Sequence, residues 1–168
     1  MSEVFPNRFA NQSALITGGA GDIGKSIAKR LAHEGAKVAL LDISPEALAK
    51  TKEEFKNEGL SCLTIACDVS NEVSINDAVI QAVMAFDQID VVIHAAGIAG
   101  PTGQRIADIS VEDYDRVYAV NQRSSFLIAK ATLPHMEKNA YGRIIMIASM
   151  AGKDGNPGMA PYTSTKAA

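Results

Sequence analysis

Five short runs of the chain are almost unbroken in apolar residues: "SALIT" (13–17), "KVALLD" (37–42), "SCLTIAC" (61–67), "IDVVIHAA" (89–96) and "GRIIMIAS" (142–149). A strand with one wet face alternates apolar and polar residues, so uninterrupted runs mark strands covered on both faces. The segments between them are long enough for helices. Ile23, Ile27 and Leu31 recur at helical spacing in 23–34, and Gly35 stands where that helix would stop. Ser44-Pro45 supplies a cap and a first-turn proline for 45–58. Segments 72–86 and 111–137 complete the set, the last as one long helix. Strands alternating with helices predict an α/β fold, a doubly wound parallel sheet with right-handed crossovers and helices on both faces. A chain of 168 residues suits one domain over 1–168. The Gly/Pro-rich stretches 97–103 and 152–161 each follow a strand, where open α/β sheets take their ligands.

Composition narrows function by exclusion. Lys+Arg number 16 and Asp+Glu 19, a net charge of −3 with no basic cluster, so nucleic acid is not an expected partner. No run approaches the roughly 20 apolar residues that span a bilayer, and "MSEVFPNRFANQ" lacks the basic start and apolar core of a secretory signal. No membrane partner is expected. Cys62 and Cys67 lie in one extended segment, too far apart to bridge, and no C-x-x-C pattern is present. They read as two reduced thiols of a cytoplasmic protein with no metal site.

The stretch "LITGGAGDIG" (15–24) joins the first strand to the first helix. Gly18, Gly19 and Gly21 let the backbone turn sharply and approach a ligand. A helix starting near Asp22–Gly24 would aim free N–H groups at a phosphate. Two nucleotide readings compete. Gly19-x-x-x-x-Gly24-Lys25-Ser26 is literally a P-loop pattern, with Asp68 or Asp90 available for Mg²⁺. A dinucleotide loop instead needs an acidic residue about 20 positions on, at the tip of the second strand, and Asp42 meets that need. The second reading is favoured because it leaves a role for Tyr162 and Lys166 in "PGMAPYTSTKAA" (157–168). Four residues apart, they share one helix face, with Pro161 in the first turn. An ammonium beside a phenol favours its charged form, a setting in which a tyrosine can exchange protons.

From about residue 12 to 168 these motifs resemble the short-chain dehydrogenase/reductase family. "TGGAGDIG" (17–24) is similar to the family's T-G-x-x-x-G-x-G, and "CDVS" (67–70) resembles its adenine-holding segment. "HAAG" (94–97) stands where the family usually has N-N-A-G, and Asn121, Ser149, Tyr162 and Lys166 fall where it has its Asn-Ser-Tyr-Lys set. The resemblance implies a Rossmann-type domain that binds NAD through Gly18, Gly21, Asp22, Ile23, Gly24, Asp42, Ile43, Asp68, Val69, Ala95, Ala96, Gly97, Tyr162 and Lys166. It implies hydride transfer between the nicotinamide and a carbinol carbon. Tyr162 would exchange the hydroxyl proton, and Ser149, at the end of the fifth strand, would bind the substrate oxygen. Lys166 would reach the ribose, and Asn121 would hold a water linking Lys166 to solvent. Asp42, with no Arg or Lys at Ile43 or Ser44, implies NAD(H) over NADP(H), since a carboxylate repels a 2′-phosphate. Two departures stand out. Asp22 replaces a glycine and reads as an N-cap carboxylate. His94-Ala95 replaces two asparagines, and His94 reads as a hydrogen-bonded structural histidine.

The expected function is an oxidoreductase acting on a secondary alcohol or ketone, such as a sugar, polyol or hydroxy acid derivative. A 3-oxoacyl-thioester reductase, a nucleotide-sugar epimerase and a non-catalytic NAD(H)-binding regulator are the alternatives. The family resemblance also implies a homodimer or tetramer, packed through the 111–137 helix and the helix beginning at Pro161. Members of the family generally continue well beyond the point matching Ala168. The C-terminal strands and substrate lid are therefore expected to be missing from this chain, leaving "GRIIMIAS" as an exposed edge and the isolated polypeptide poorly stable and inactive.

Overall fold

In the computed structural model residues 5–168 are described; residues 1–4, which open the segment read above for a secretory signal, lie outside the described residues. Strands β1 (Ser13–Thr17), β2 (Lys37–Asp42), β3 (Leu63–Ala66), β4 (Val91–His94) and β5 (Arg143–Met146) form one sheet in the order β3-β2-β1-β4-β5. Every pairing is parallel. The helices are α1 (Asp22–His33), α2 (Pro45–Asn57), α3 (Glu72–Phe86), α4 (Val111–Tyr118), α5 (Ser124–Lys138), α6 (Met150–Asp154) and α7 (Ala160–Ala167). The chain winds outward from β1 to β3 and then returns to β4 on the other side. That reversal opens a crevice beyond the ends of β1 and β4.

Successive strand residues point to opposite faces, and each face has its own core. Ala14, Ile16, Val38, Leu40, Val91 and Ile93 pack with Ala28 and Leu31 of α1 and Leu48 and Phe55 of α2. Leu15, Ala39, Leu41, Ile65 and Val92 pack with Ile75 and Val79 of α3 and Leu127 and Ile128 of α5. Leu15, Ile16, Leu40, Leu41 and Phe55 are fully buried; each such side chain contributes about 1.5–3 kcal/mol relative to exposure. Ser44 caps α2 as its sequence predicts, its Oγ accepting from Ala47 N–H at 3.1 Å. Among the described residues strand β5 pairs with β4 alone and leaves Ile145 and Met146 exposed, as an edge strand does. Both cysteines are free thiols, and burial pushes each above the ordinary thiol value. No helix among the described residues is long and apolar enough to cross a membrane.

One expectation about the elements needs correction. The 111–137 segment is not one helix. A π-turn over Ala119–Arg123 separates α4 from α5. The turn holds Asn121, whose carboxamide bonds Ile98 and Thr165, and the serines that follow bond back one turn, Ser124 Oγ to the carbonyl of Val120 and Ser125 Oγ to that of Asn121 at 3.2 Å. Hydroxyls that return to carbonyls one turn back compete with the regular ladder. The Gly/Pro-rich 152–161 stretch begins within the short helix α6 (Met150–Asp154).

Candidate active site

The glycine loop folds against the floor of the crevice. Gly18 has φ +63°, and a Cβ there would come within 2.8 Å of Ala96 N. A Cβ on Gly24 would lie 2.2 Å from the Gly18 carbonyl oxygen. Gly21, not Asp22, holds the N-cap position of α1, with no side-chain bond to the first turn. The expected capping role of Asp22 is thus wrong: its backbone is already helical, so its exposed carboxylate lies beyond the cap geometry. The first-turn N–H groups consequently have no capping side chain, which suits an anion. Lys25 points away from the loop and pairs with Glu54 on α2 at 3.0 Å. The P-loop reading requires that ammonium on a phosphate, so the geometry does not fit it.

Asp42 ends β2 beside the loop. Its Oδ2 accepts from Ala20 N–H at 3.1 Å and its Oδ1 from Ser44 N–H at 3.2 Å. The crevice beside it holds about 250 Å³ and is lined by Gly18, Gly21, Asp42, Ile43, Asp68, Val69, Ala95, Ala96 and Gly97, with Cys67, Ile98 and Val120. Asp68 accepts from Ser70 N–H at 2.9 Å and Ser70 Oγ at 2.7 Å, which fixes its carboxylate at the rim. Gly24 is buried behind the loop, where it permits close packing and does not line the crevice. A loop closed to side chains at Gly18, Gly19 and Gly24, uncapped amides, a strand-tip carboxylate and an apolar slot fit a dinucleotide.

A second crevice of about 470 Å³ carries Ser149, Tyr162 and Lys166, with Ile23 and Met159 among its walls. The two crevices share Ala95, Gly97 and Ile98. Ser149 is not the end of β5, which stops at Met146; it is the N-cap of α6, its Oγ accepting from Ala151 N–H at 3.2 Å. The strand ends early because Ile147 N–H, paired with His94 carbonyl at 3.1 Å, makes the last bond to β4. The hydroxyl hydrogen of Ser149 is left over by its capping bond. Tyr162 and Lys166 are half-buried on one face of α7, and Lys166 Nζ donates to the Ile147 carbonyl at 2.7 Å. A Cβ on Gly97 would sit 3.3 Å from Asn121 Oδ1 and 3.5 Å from Lys166 Nζ, so these groups converge at the junction of the crevices.

Asn121 is buried within the π-turn. Its Nδ2 donates to the Ile98 carbonyl at 2.9 Å and to Thr165 Oγ1 at 3.1 Å, while its Oδ1 accepts from Ile98 N–H at 2.8 Å. Both amide hydrogens are spent on protein atoms, so the side chain clamps the strand-end loop. A further crevice lies beside it, lined by Ser125, Met146, Thr165 and Lys166 among others. His94 is 3% exposed and bonds Thr17 Oγ1 through Nδ1 at 2.7 Å and Ser124 Oγ through Nε2 at 2.8 Å. Burial, and then the charge of Lys166, push its pKa down to about 4. It is the hydrogen-bonded structural histidine its position suggests. Sequence reasoning missed Thr17, Ser124 and Thr165. Each is a single hydroxyl, and only its spatial neighbour gives it a role.

The chain matches the short chain dehydrogenase family over residues 12–168 and belongs to it. It is similar to a 2-dehydro-3-deoxy-L-rhamnonate dehydrogenase (NAD(+)) of Sphingomonas sp. (strain SKA58), with 37% identity over 164 residues, 98% of this chain and 64% of that protein. It is 40% identical over 162 residues to the 2,5-dichloro-2,5-cyclohexadiene-1,4-diol dehydrogenase LinX of Sphingobium indicum, covering 96% of this chain and 64% of that protein. Among solved structures, NAD+-bound xylitol dehydrogenase superposes with a TM-score of 0.91 at 36% identity, covering 95% of this chain and 61% of the other. The chain therefore spans under two thirds of the length of these relatives.

Proposed function

We propose that the protein is an NAD(H)-dependent oxidoreductase that interconverts a secondary alcohol and a ketone, the substrate being a sugar, polyol or hydroxy acid derivative. The observation that carries this reading is the junction of the two crevices at Gly97: the glycine loop and Asp42 stand on one side, Ser149, Tyr162 and Lys166 on the other. Gly18, Gly21 and the first turn of α1 would hold the pyrophosphate, Asp42 the adenosine ribose, and Asp68 and Val69 the adenine. Bound NAD(H) supplies the acceptor or donor of the hydride.

Tyr162 Oη takes the hydroxyl proton during oxidation and returns it during reduction. Ser149 donates its remaining hydrogen to the substrate oxygen and stabilises charge developing there. Lys166, one turn along α7, would reach towards the ribose. Asn121 fixes the floor at Ile98, and a water in the crevice beside it would connect Lys166 to solvent. The relatives' names, a sugar-acid dehydrogenase and a xylitol dehydrogenase, support a polyhydroxylated substrate. Exposed Phe126 and Leu133 on α5 support a homo-oligomer, and the two free thiols a cytoplasmic location.

The test is a screen of polyols, sugar acids and hydroxy acids with NAD+, following absorbance of the reduced nicotinamide, beside an NADH fluorescence titration. Tyr162→Phe should lose turnover and keep NADH affinity. Failure of the wild-type protein to bind NADH, or full turnover in Tyr162→Phe, would sink the assignment.

A further inference from the structure

We propose that His94 is a positioning residue for the dinucleotide crevice: with its proton on Nε2, it ties the crevice wall at Ala96 to the wall at Val120 through one directed chain of hydrogen bonds. The inference rests on the proposed function only for what the crevice holds. Ala96 N–H can only donate, and it donates to Thr17 Oγ1 at 3.3 Å. The hydroxyl hydrogen of Thr17 is then free for His94 Nδ1, 2.7 Å away. At the far end the Val120 carbonyl can only accept, and it takes the hydroxyl hydrogen of Ser124. Ser124 Oγ must therefore accept from His94 Nε2, at 2.8 Å. The two backbone groups cannot exchange roles; the Val120 end requires the proton on Nε2, and the bare Nδ1 that follows gives the Thr17 hydrogen its acceptor. An imidazolium would strand the Thr17 hydrogen in a buried site. Burial and the nearby Lys166 charge both oppose that form.

The two ends of the chain matter because Ala96 and Val120 both line the crevice. Val120 precedes Asn121 in the π-turn, and Asn121 grips Ile98 by its N–H and its carbonyl. The floor over 96–98 is thus tied to the π-turn twice, by the imidazole near Ala96 and by the carboxamide at Ile98. The first tie spans from β1, across β4, to the start of α5, a reach that the apolar side chains elsewhere in β4 cannot bridge with hydrogen bonds.

Nitrogen-15 NMR of the wild-type protein at neutral pH should find His94 with a bare Nδ1 and a protonated Nε2. A proton on Nδ1, or an imidazolium, overturns the proposal. In His94→Leu, amide exchange at Ile98 should speed up about tenfold and the Kd for NADH rise about tenfold. His94→Gln, which offers one acceptor and one donor, should restore both to within about threefold of wild type. A folded His94→Leu with wild-type exchange at Ile98 overturns the proposal. Where His94→Leu does not fold, Ser124→Ala breaks the same chain with a smaller change, and unaltered exchange at Ile98 in that variant counts against the proposal equally. A wild-type protein that binds no NADH defeats the dehydrogenase assignment alone, while the tautomer and exchange measurements still decide on His94.

Discussion

Acidification should remove about 3 kcal/mol of stability through His94 alone. The perturbation is a fall in pH from neutrality to about 4. An unfolded histidine titrates at its ordinary 6.5, whereas burial and then the Lys166 charge hold the folded one at about 4. A base whose folded value is depressed is stabilising above its unfolded pKa. Below 6.5 the unfolded chain takes up a proton that the folded one refuses, and the loss levels off only near the folded value. At about 1.4 kcal/mol per pKa unit the gap amounts to about 3 kcal/mol. The paired carboxylates contribute lower down: Glu54, bonded to Lys25, and Glu72, bonded to Lys130, both sit below their ordinary 4.5. The assay is urea unfolding of wild type and His94→Gln at about pH 7.5, 6.5, 5.5 and 4.5, reading the slope of stability against pH. The glutamine does not titrate, and His33 and His135 are common to both proteins. Wild type should lose up to about 1.4 kcal/mol more per pH unit than the variant in this window. Parallel curves would refute the buried neutral imidazole.

Replacing Asp42 by Ala should lower the NAD/NADP ratio of kcat/KM by about tenfold or more and, through the lost bonds to Ala20 and Ser44, cost about 1–2 kcal/mol in chemical denaturation. Gly24→Ala drives a Cβ into the Gly18 carbonyl; thermal unfolding should report a loss of about 1–3 kcal/mol, and NADH titration a weakened site. Lys25→Ala removes a partly exposed ion pair with Glu54, so it should cost under about 1 kcal/mol and leave NADH affinity unchanged. Loss of binding in that variant would bring back the phosphate-loop reading.

The strand centres were legible because each needs a run of apolar residues, and both faces of this sheet are covered. Strand ends were not, because the apolar runs continue past the paired residues: Ala96 looks like strand, but its N–H turns to the Thr17 side chain and it lines the crevice. The break between α4 and α5 was invisible for another reason. Helical periodicity persists on both sides of "AVNQR", and the π-turn goes with tertiary bonds of Asn121 to Ile98 and Thr165 that no local pattern shows. Ser149, Tyr162 and Lys166 could be picked out by spacing, and they do share a crevice. Asp22 and Ser149 were misplaced by one and three residues because a cap is defined by backbone dihedrals, which side-chain type only biases. Thr17 and His94 are 77 residues apart, so their contact carries no local signal at all.

That last separation bears on how the molecule is made. Strand β1 sits between β2 and β4, and its second neighbour is synthesised long after the first. A nascent chain that has not yet emitted residues 91–96 carries a glycine turn held by β2 on one side and open on the side that Ala96 later closes. The crevice is complete only once the residues that follow β4, Ala95 to Gly97, stand beside the glycine turn. A ligand captured at that seam would brace the union of both halves against unzipping.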